Sequence, residues 1–167
     1  MTGFLLATLV VPAIDHALKA FVIGYVGSAA WSLGVFGQIS VVHARMWVVR
    51  LNRHLTGQVL WVIWFIAAAV SAVICATLPS FGWSLGLLVG GALSHLIEVS
   101  LRGSICDYVC LRFWPAFNLA DVAITIGAVA VIVRVAAAAG LAEHRCTWFY
   151  GSARTFIFTY GALVDWS

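Results

Sequence analysis

From Gln58 to Leu78 the chain carries no charged side chain, and almost every residue there is apolar. A helix that crosses a bilayer takes about 20 such residues. Three further largely apolar stretches, each with one or two charged residues, follow or precede it, Phe4 to Val26, Trp83 to Val99 and Phe117 to Gly140. The sequence therefore predicts an all-α integral membrane protein with four transmembrane helices, at about 4–26, 58–78, 83–99 and 117–140. Only 9% of the residues are charged, against about 25% in soluble domains, so water is not the solvent of most of this surface. In 167 residues the four spans leave no room for a separate soluble domain.

The few charges exclude other classes. Nine Lys and Arg stand against six Asp and Glu with no basic run, whereas nucleic-acid binding asks for a clustered basic face. Cys75, Cys106, Cys110 and Cys146 form no CxxC pair and lack zinc-ligand spacing, which leaves each as a small apolar residue. The first apolar run has no basic stretch before it and is interrupted by Asp15 and Lys19, so it reads as a retained helix rather than a cleaved signal peptide.

Polar residues inside a membrane helix face a protein interior or a wet cavity. Asp15 and Lys19, four apart, share one face of the first helix and are within pairing reach; they form either a neutralised ion pair or a polar wall of a site. Residues 27–57 break the pattern: Gly-rich, then mixed through Gln38-Ile39-Ser40-Val41-Val42-His43, then basic at Arg45, Arg50 and Arg53. This stretch reads as an interfacial, partly strand-like segment, with Trp31 and Trp47 suited to the headgroup level. Pro79-Ser80-Phe81-Gly82 makes the tight turn of a helical hairpin. Gly86, Gly90 and Ser94 form a small-residue stripe on which another helix packs closely. Beyond His95 and Glu98 comes a connection of residues 100–115 holding Arg102, Asp107 and Arg112, and then Asn118 as a helix cap with Asp121 in the first turn. Residues 142–167 form a tail, read as interfacial, after a membrane domain of residues 1–141.

Asp107 and Asp121 are the acids that lie close in sequence at one end of the helices. Folding the connection back would let both carboxyls face one water. Two close carboxylates do not both ionise readily, so one is held protonated while the other acts as base. That chemistry is peptide hydrolysis without a metal, thiol or serine. Taken singly, each acid also has a plainer use: Asp121 complements the helix dipole, and Asp107 pairs with Arg102 or Arg112.

Three stretches decide between these uses: Gly90-Gly91-Ala92-Leu93-Ser94-His95-Leu96-Ile97-Glu98, Arg102-Gly103-Ser104-Ile105-Cys106-Asp107-Tyr108, and Pro115-Ala116-Phe117-Asn118-Leu119-Ala120-Asp121-Val122-Ala123-Ile124-Thr125-Ile126-Gly127. They resemble the last motifs of the lipoprotein signal peptidases, or signal peptidase II, whose patterns are approximately GGAxGNxxDR, VxDF and PAFNxADxxIxxG. Asp15 and Lys19 resemble that family's DxxxK. The resemblance implies an aspartic endopeptidase of the bacterial inner membrane, multi-pass and monomeric, that needs no cofactor and cuts diacylglyceryl-modified prolipoproteins among membrane lipid. On the matching positions Asp107 and Asp121 are the catalytic pair and Asn118 is a polar support. His95, Glu98, Arg102, Asp15 and Lys19 join Asn118 as expected substrate-binding residues. The family fold also adds a small strand-rich periplasmic segment after the first helix, here at residues 34–50.

The sequence departs from the family at His95 in place of Asn, Glu98 in place of Asp and Val99 in place of Arg. Its NxGxAF motif is replaced by Val42-His43-Ala44-Arg45-Met46-Trp47. These changes spare the two aspartates, which favours a divergent paralogue with an altered substrate range; the alternative is a non-catalytic relative that binds lipoproteins or a globomycin-like inhibitor. Both termini are expected in the cytoplasm by resemblance, although Arg45, Arg50, Arg53, Arg102 and Arg112 then lie outside, against the positive-inside rule.

Overall fold

Apolar runs become helices because, away from water, every backbone N–H and C=O must find its partner within the segment. The computed structural model describes residues 1–26, 30–44 and 53–139. Its helices are α1 (Thr2–Tyr25), α2 (Arg53–Thr77), α3 (Gly82–Arg102) and α4 (Leu119–Ala138). Each contains a stretch long and apolar enough to cross a membrane. Three strands complete the fold, β1 (Trp31–Ser32), β2 (Gly37–Ala44) and β3 (Ile105–Leu111), with 3-10 turns at Gly34–Phe36 and Pro79–Phe81. The chain divides into one unit of residues 1–130 and a second of residues 131–167, whose described part is the remainder of α4.

The four helices follow the order of the four apolar stretches, and α2 begins ahead of Gln58, at Arg53. The sheet was half visible in the sequence. Strands β1 and β2 fall in the segment expected to be strand-rich, whereas the connection after α3 is itself a strand: β3 lies antiparallel to β2 in the order β1-β2-β3. Expectations placed on Arg45, Trp47, Arg50 and the tail from Leu141 onward lie outside the described residues.

Helix α3 is the hub of the first unit. A Cβ added at Gly86 would come within 2.7 Å of the Phe4 carbonyl oxygen, and one at Gly90 within 2.8 Å of that of Ala7. The small-residue stripe therefore lets the α1 backbone lie directly on α3, and this places Asp15 against Ser94 and Lys19 against Glu98. Gly103 ends α3 in the left-handed conformation at φ 70°, its N–H returning to the Val99 carbonyl, a stop that only glycine adopts cheaply. The chain then turns straight into β3. The sheet is fixed to the end of α1 by Val22, Val26 and Tyr108, packed with Ile39, Val41 and Val109. By contrast α2 leaves Val62, Phe65, Ile66 and Val73 exposed, a carbon surface suited to lipid.

Candidate active site

The site is built by a second, shorter reversal. After β3 the chain turns at Arg112–Pro115, and Phe117 comes back to exchange two 3.0 Å backbone hydrogen bonds with Val109. Tyr108 holds the same corner, its hydroxyl accepting from the Leu119 N–H at 3.1 Å. Burial pushes that phenol up to about 12, so it remains a neutral acceptor. This reversal sets Asn118, the residue after Phe117, beside Asp107 on β3.

Asn118 is fully buried, and its polar groups are spent on the two acids. Its side-chain Nδ2 donates to Asp107 Oδ1 at 2.7 Å and reaches the Cys106 carbonyl at 3.4 Å. Its Oδ1 accepts from the Asp121 N–H at 3.2 Å, while its own backbone N–H donates to Asp121 Oδ2 at 2.9 Å. The last two bonds form a reciprocal cap at the start of α4. One residue thus caps the helix and orients both carboxylates.

The two acids differ in their surroundings. Asp121 is 41% exposed by side chain and accepts, besides the Asn118 N–H, a 3.0 Å contact from His95 Nε2. Asp107 is 8% exposed, and burial, aided by the charge of Asp121, raises its pKa above the ordinary carboxylate value despite the bond from Asn118. Burial removes water from the charged form, and a neighbouring anion opposes a second charge. The pair is therefore asymmetric, with Asp107 the member more readily held as the neutral acid.

Of the other expected site residues, Asp15, Lys19 and Glu98 are brought together and turned inward. Lys19 Nζ lies 2.7 Å from Asp15 Oδ2 and 2.6 Å from Glu98 Oε2, and none of the three side chains is more than 1% exposed. Ser94 donates to Asp15 Oδ2, and the Ala120 N–H of α4 donates to its Oδ1 at 3.3 Å. The cluster touches the first turn of α4 from behind. Arg102, 47% exposed, reaches Glu98 at 3.4 Å. His95 does not stand free but is paired with Asp121. Among the described residues no group of three or more His, Cys, Asp or Glu is placed to hold a metal ion.

A cavity of about 310 Å³ is lined by Leu60, Ile63, Trp64, Leu96, Val99 and Ile124 among others, with His95, the partner of Asp121, at its wall. The indole N–H of Trp64 is committed to the Val89 carbonyl, so this space offers carbon almost alone. The sequence alone singles out Asp107, Asp121 and Asn118 as candidates, and it leaves strand β3 and the His95 contact to the structure. The β-branched and aromatic residues of Ile105–Leu111 carried a strand signal; nothing in the sequence signals which carboxylate His95 meets.

A family model described as signal peptidase (SPase) II matches residues 7–137. A lipoprotein signal peptidase of Pseudomonas fluorescens is 32% identical over 148 residues, 76% of this chain and 83% of that protein. One of Burkholderia mallei is 32% identical over 125 residues, 69% of this chain and 73% of its own. Two solved structures of a bacterial membrane enzyme share the fold, with TM-scores of 0.66 and 0.67 at 19% and 18% identity. Both cover 81% of this chain, and 88% and 93% of theirs.

Proposed function

The chain belongs to the signal peptidase II family, and on that premise we propose that it is an aspartic endopeptidase removing signal peptides from diacylglyceryl-modified prolipoproteins, with Asp107 and Asp121 as its catalytic pair. The observation that carries the reading is the single buried Asn118 hydrogen-bonded to both carboxylates. Acids placed for helix capping or surface charge alone would not need a shared, fully buried amide between them.

In this reading Asp121, the more exposed and the one addressed by two N–H donors, is the base. It takes a proton from water, whose oxygen attacks the scissile carbonyl carbon, while protonated Asp107 donates to the carbonyl oxygen. As the tetrahedral diol collapses, Asp107 takes back a hydroxyl proton while the carbonyl re-forms, and Asp121 gives the proton it took from water to the departing amine nitrogen. Both carboxyls return to their starting states. The apolar cavity beside His95 suits acyl chains or the signal-peptide helix, bringing a lipid-bearing substrate to the pair from within the bilayer. Asp15, Lys19 and Glu98 act in support, fixing α1, α3 and the start of α4, while half-exposed Arg102 is the member of the set able to meet substrate. The altered residues at His95, Glu98 and Val99 fit a divergent paralogue with its own substrate range, a monomer of the bacterial inner membrane.

The test is cleavage of a diacylated prolipoprotein by the purified chain in lipid nanodiscs. Asp107→Asn and Asp121→Asn keep shape and remove ionisation; each should abolish cleavage while leaving the protein inserted. Near-normal turnover in both would reject the pair. A second reading, a non-catalytic relative that binds lipoproteins, is favoured by the His95 contact, which occupies one oxygen of Asp121. Restored processing in cells depleted of their own signal peptidase would eliminate it.

A further inference from the structure

His95 stands where the family pattern has an amide residue, and its two ring nitrogens have unlike surroundings. Nε2 is 3.0 Å from Asp121 Oδ1. Nδ1 is buried and has no hydrogen-bond partner. A hydrogen on Nδ1 would be an orphaned buried donor, whether the ring were the Nδ1–H tautomer or the imidazolium, and leaving such a group unpaired is costly. A bare Nδ1 costs less, and it leaves the ring hydrogen on Nε2, aimed at the carboxylate.

We propose that His95 is a positioning residue, locked as the neutral Nε2–H tautomer, which donates to Asp121 and thereby fixes that carboxylate as the one that activates water. This rests on the peptidase reading above and deepens it. Among the described residues the charged and titratable groups around the ring are few. Glu98 and Arg102 share its helix but are bonded to each other; from α1, Lys19 and Asp15 are closed in their own cluster; β3 contributes Asp107, bonded to Asn118, and the Cys106 thiol; α4 contributes Asp121 alone. Among the described residues α2 contributes Leu60, Ile63, Trp64 and Ala67 to the cavity. Among the described residues Asp121 is the one acid hydrogen-bonded to the ring; its charge favours a second proton, and the cost of burying an unpartnered Nδ1–H opposes it.

The test uses two variants of the full chain. In His95→Gln the amide nitrogen takes the place of Nε2 and cannot titrate; in His95→Leu the donor is gone. Losing one hydrogen bond to a charged group corresponds to about a 10- to 100-fold fall, so His95→Leu should lose that much in kcat with KM little changed, and His95→Gln should restore most of it. Removing a donor disfavours the carboxylate form, so the acidic limb of the pH–kcat profile should move to higher pH in His95→Leu and return in His95→Gln. A shift of the basic limb alone would make Asp121 the acid and overturn the proposal, as would equal losses in both variants, which would mean that histidine acts by protonation. Imidazole nitrogen NMR, with the His95 signals identified by their absence in His95→Gln, should show Nε2 protonated and Nδ1 bare at neutral pH; an imidazolium or the opposite tautomer refutes the lock. If the wild-type chain cleaves nothing, the peptidase reading falls instead, and the spectrum still decides the pairing.

Discussion

Asn118 performs two tasks with separate atoms, so a pair of substitutions should divide them. In Asn118→Asp the oxygen that caps α4 is retained, since Asp is as good a cap as Asn. The Nδ2 donor to Asp107, 2.7 Å long and fully buried, becomes an oxygen. A buried hydrogen bond to an ionisable group contributes about 1.5–3 kcal/mol, which corresponds to roughly a 10- to 150-fold change in rate. A third carboxyl also crowds the pair. Asn118→Ala loses both the donor and the cap; the cap alone is worth about 1 kcal/mol. Peptide cleavage in nanodiscs should therefore fall at least about tenfold in both variants. The thermal midpoint in detergent should fall further in Asn118→Ala than in Asn118→Asp. Equal turnover in Asn118→Asp and wild type would show that the amide does not organise the carboxylates, and the reasoning from its geometry would be wrong.

Other outcomes follow from the same structure. Asp107 has a raised pKa, so the folded state binds the extra proton; its contribution to stability is present at low pH and is lost as pH rises from the unfolded carboxylate value through the folded one. Asp107→Asn should then gain midpoint relative to wild type at pH 7 but not at pH 3, and parallel curves would contradict this. Lys19→Met leaves Asp15 without its cation in a buried site, which should cost about 3–5 kcal/mol, seen as lost yield or a collapsed unfolding midpoint; a well-folded variant would refute it. Gly90→Val drives a side chain into the Ala7 carbonyl, and its melting should drop while Gly24→Val, with nothing near its Cβ, should leave the midpoint within a few degrees. A reporter enzyme fused after Leu141 should be active only in its cytoplasmic form, and activity only in the periplasmic form would reverse the orientation.

What the sequence displayed and what it hid divide along physical lines. The four helices were legible because length and lack of charge leave few alternatives, and Gly86, Gly90 and Ser94 announced close packing by their spacing alone. The motif around Asn118 and Asp121 was legible as a motif, and its cap chemistry is local. The pairing of strand β3 was not, for although its residues carry a strand signal, its partner β2 is more than sixty residues away and the bulge between Ile39 and Val42 has no local signature. Asp15 and Lys19 were open between two readings until the α1–α3 approach was known, and Glu98, expected at the substrate, is turned inward beside them. His95 was expected at the substrate; only the tertiary structure reveals that its nearest polar neighbour is an acid from another helix.

The charged cluster also bears on how such a chain enters a bilayer as it is made. On α1, Asp15 and Lys19 neutralise each other four residues apart, and on α3, Glu98 and Arg102 do the same. Each segment can thus leave the translocation machinery with its charge already balanced by a neighbour on the same helix. When α3 later docks on α1, Lys19 gains Glu98 as a second anion, so charges first balanced within each helix become shared between the two.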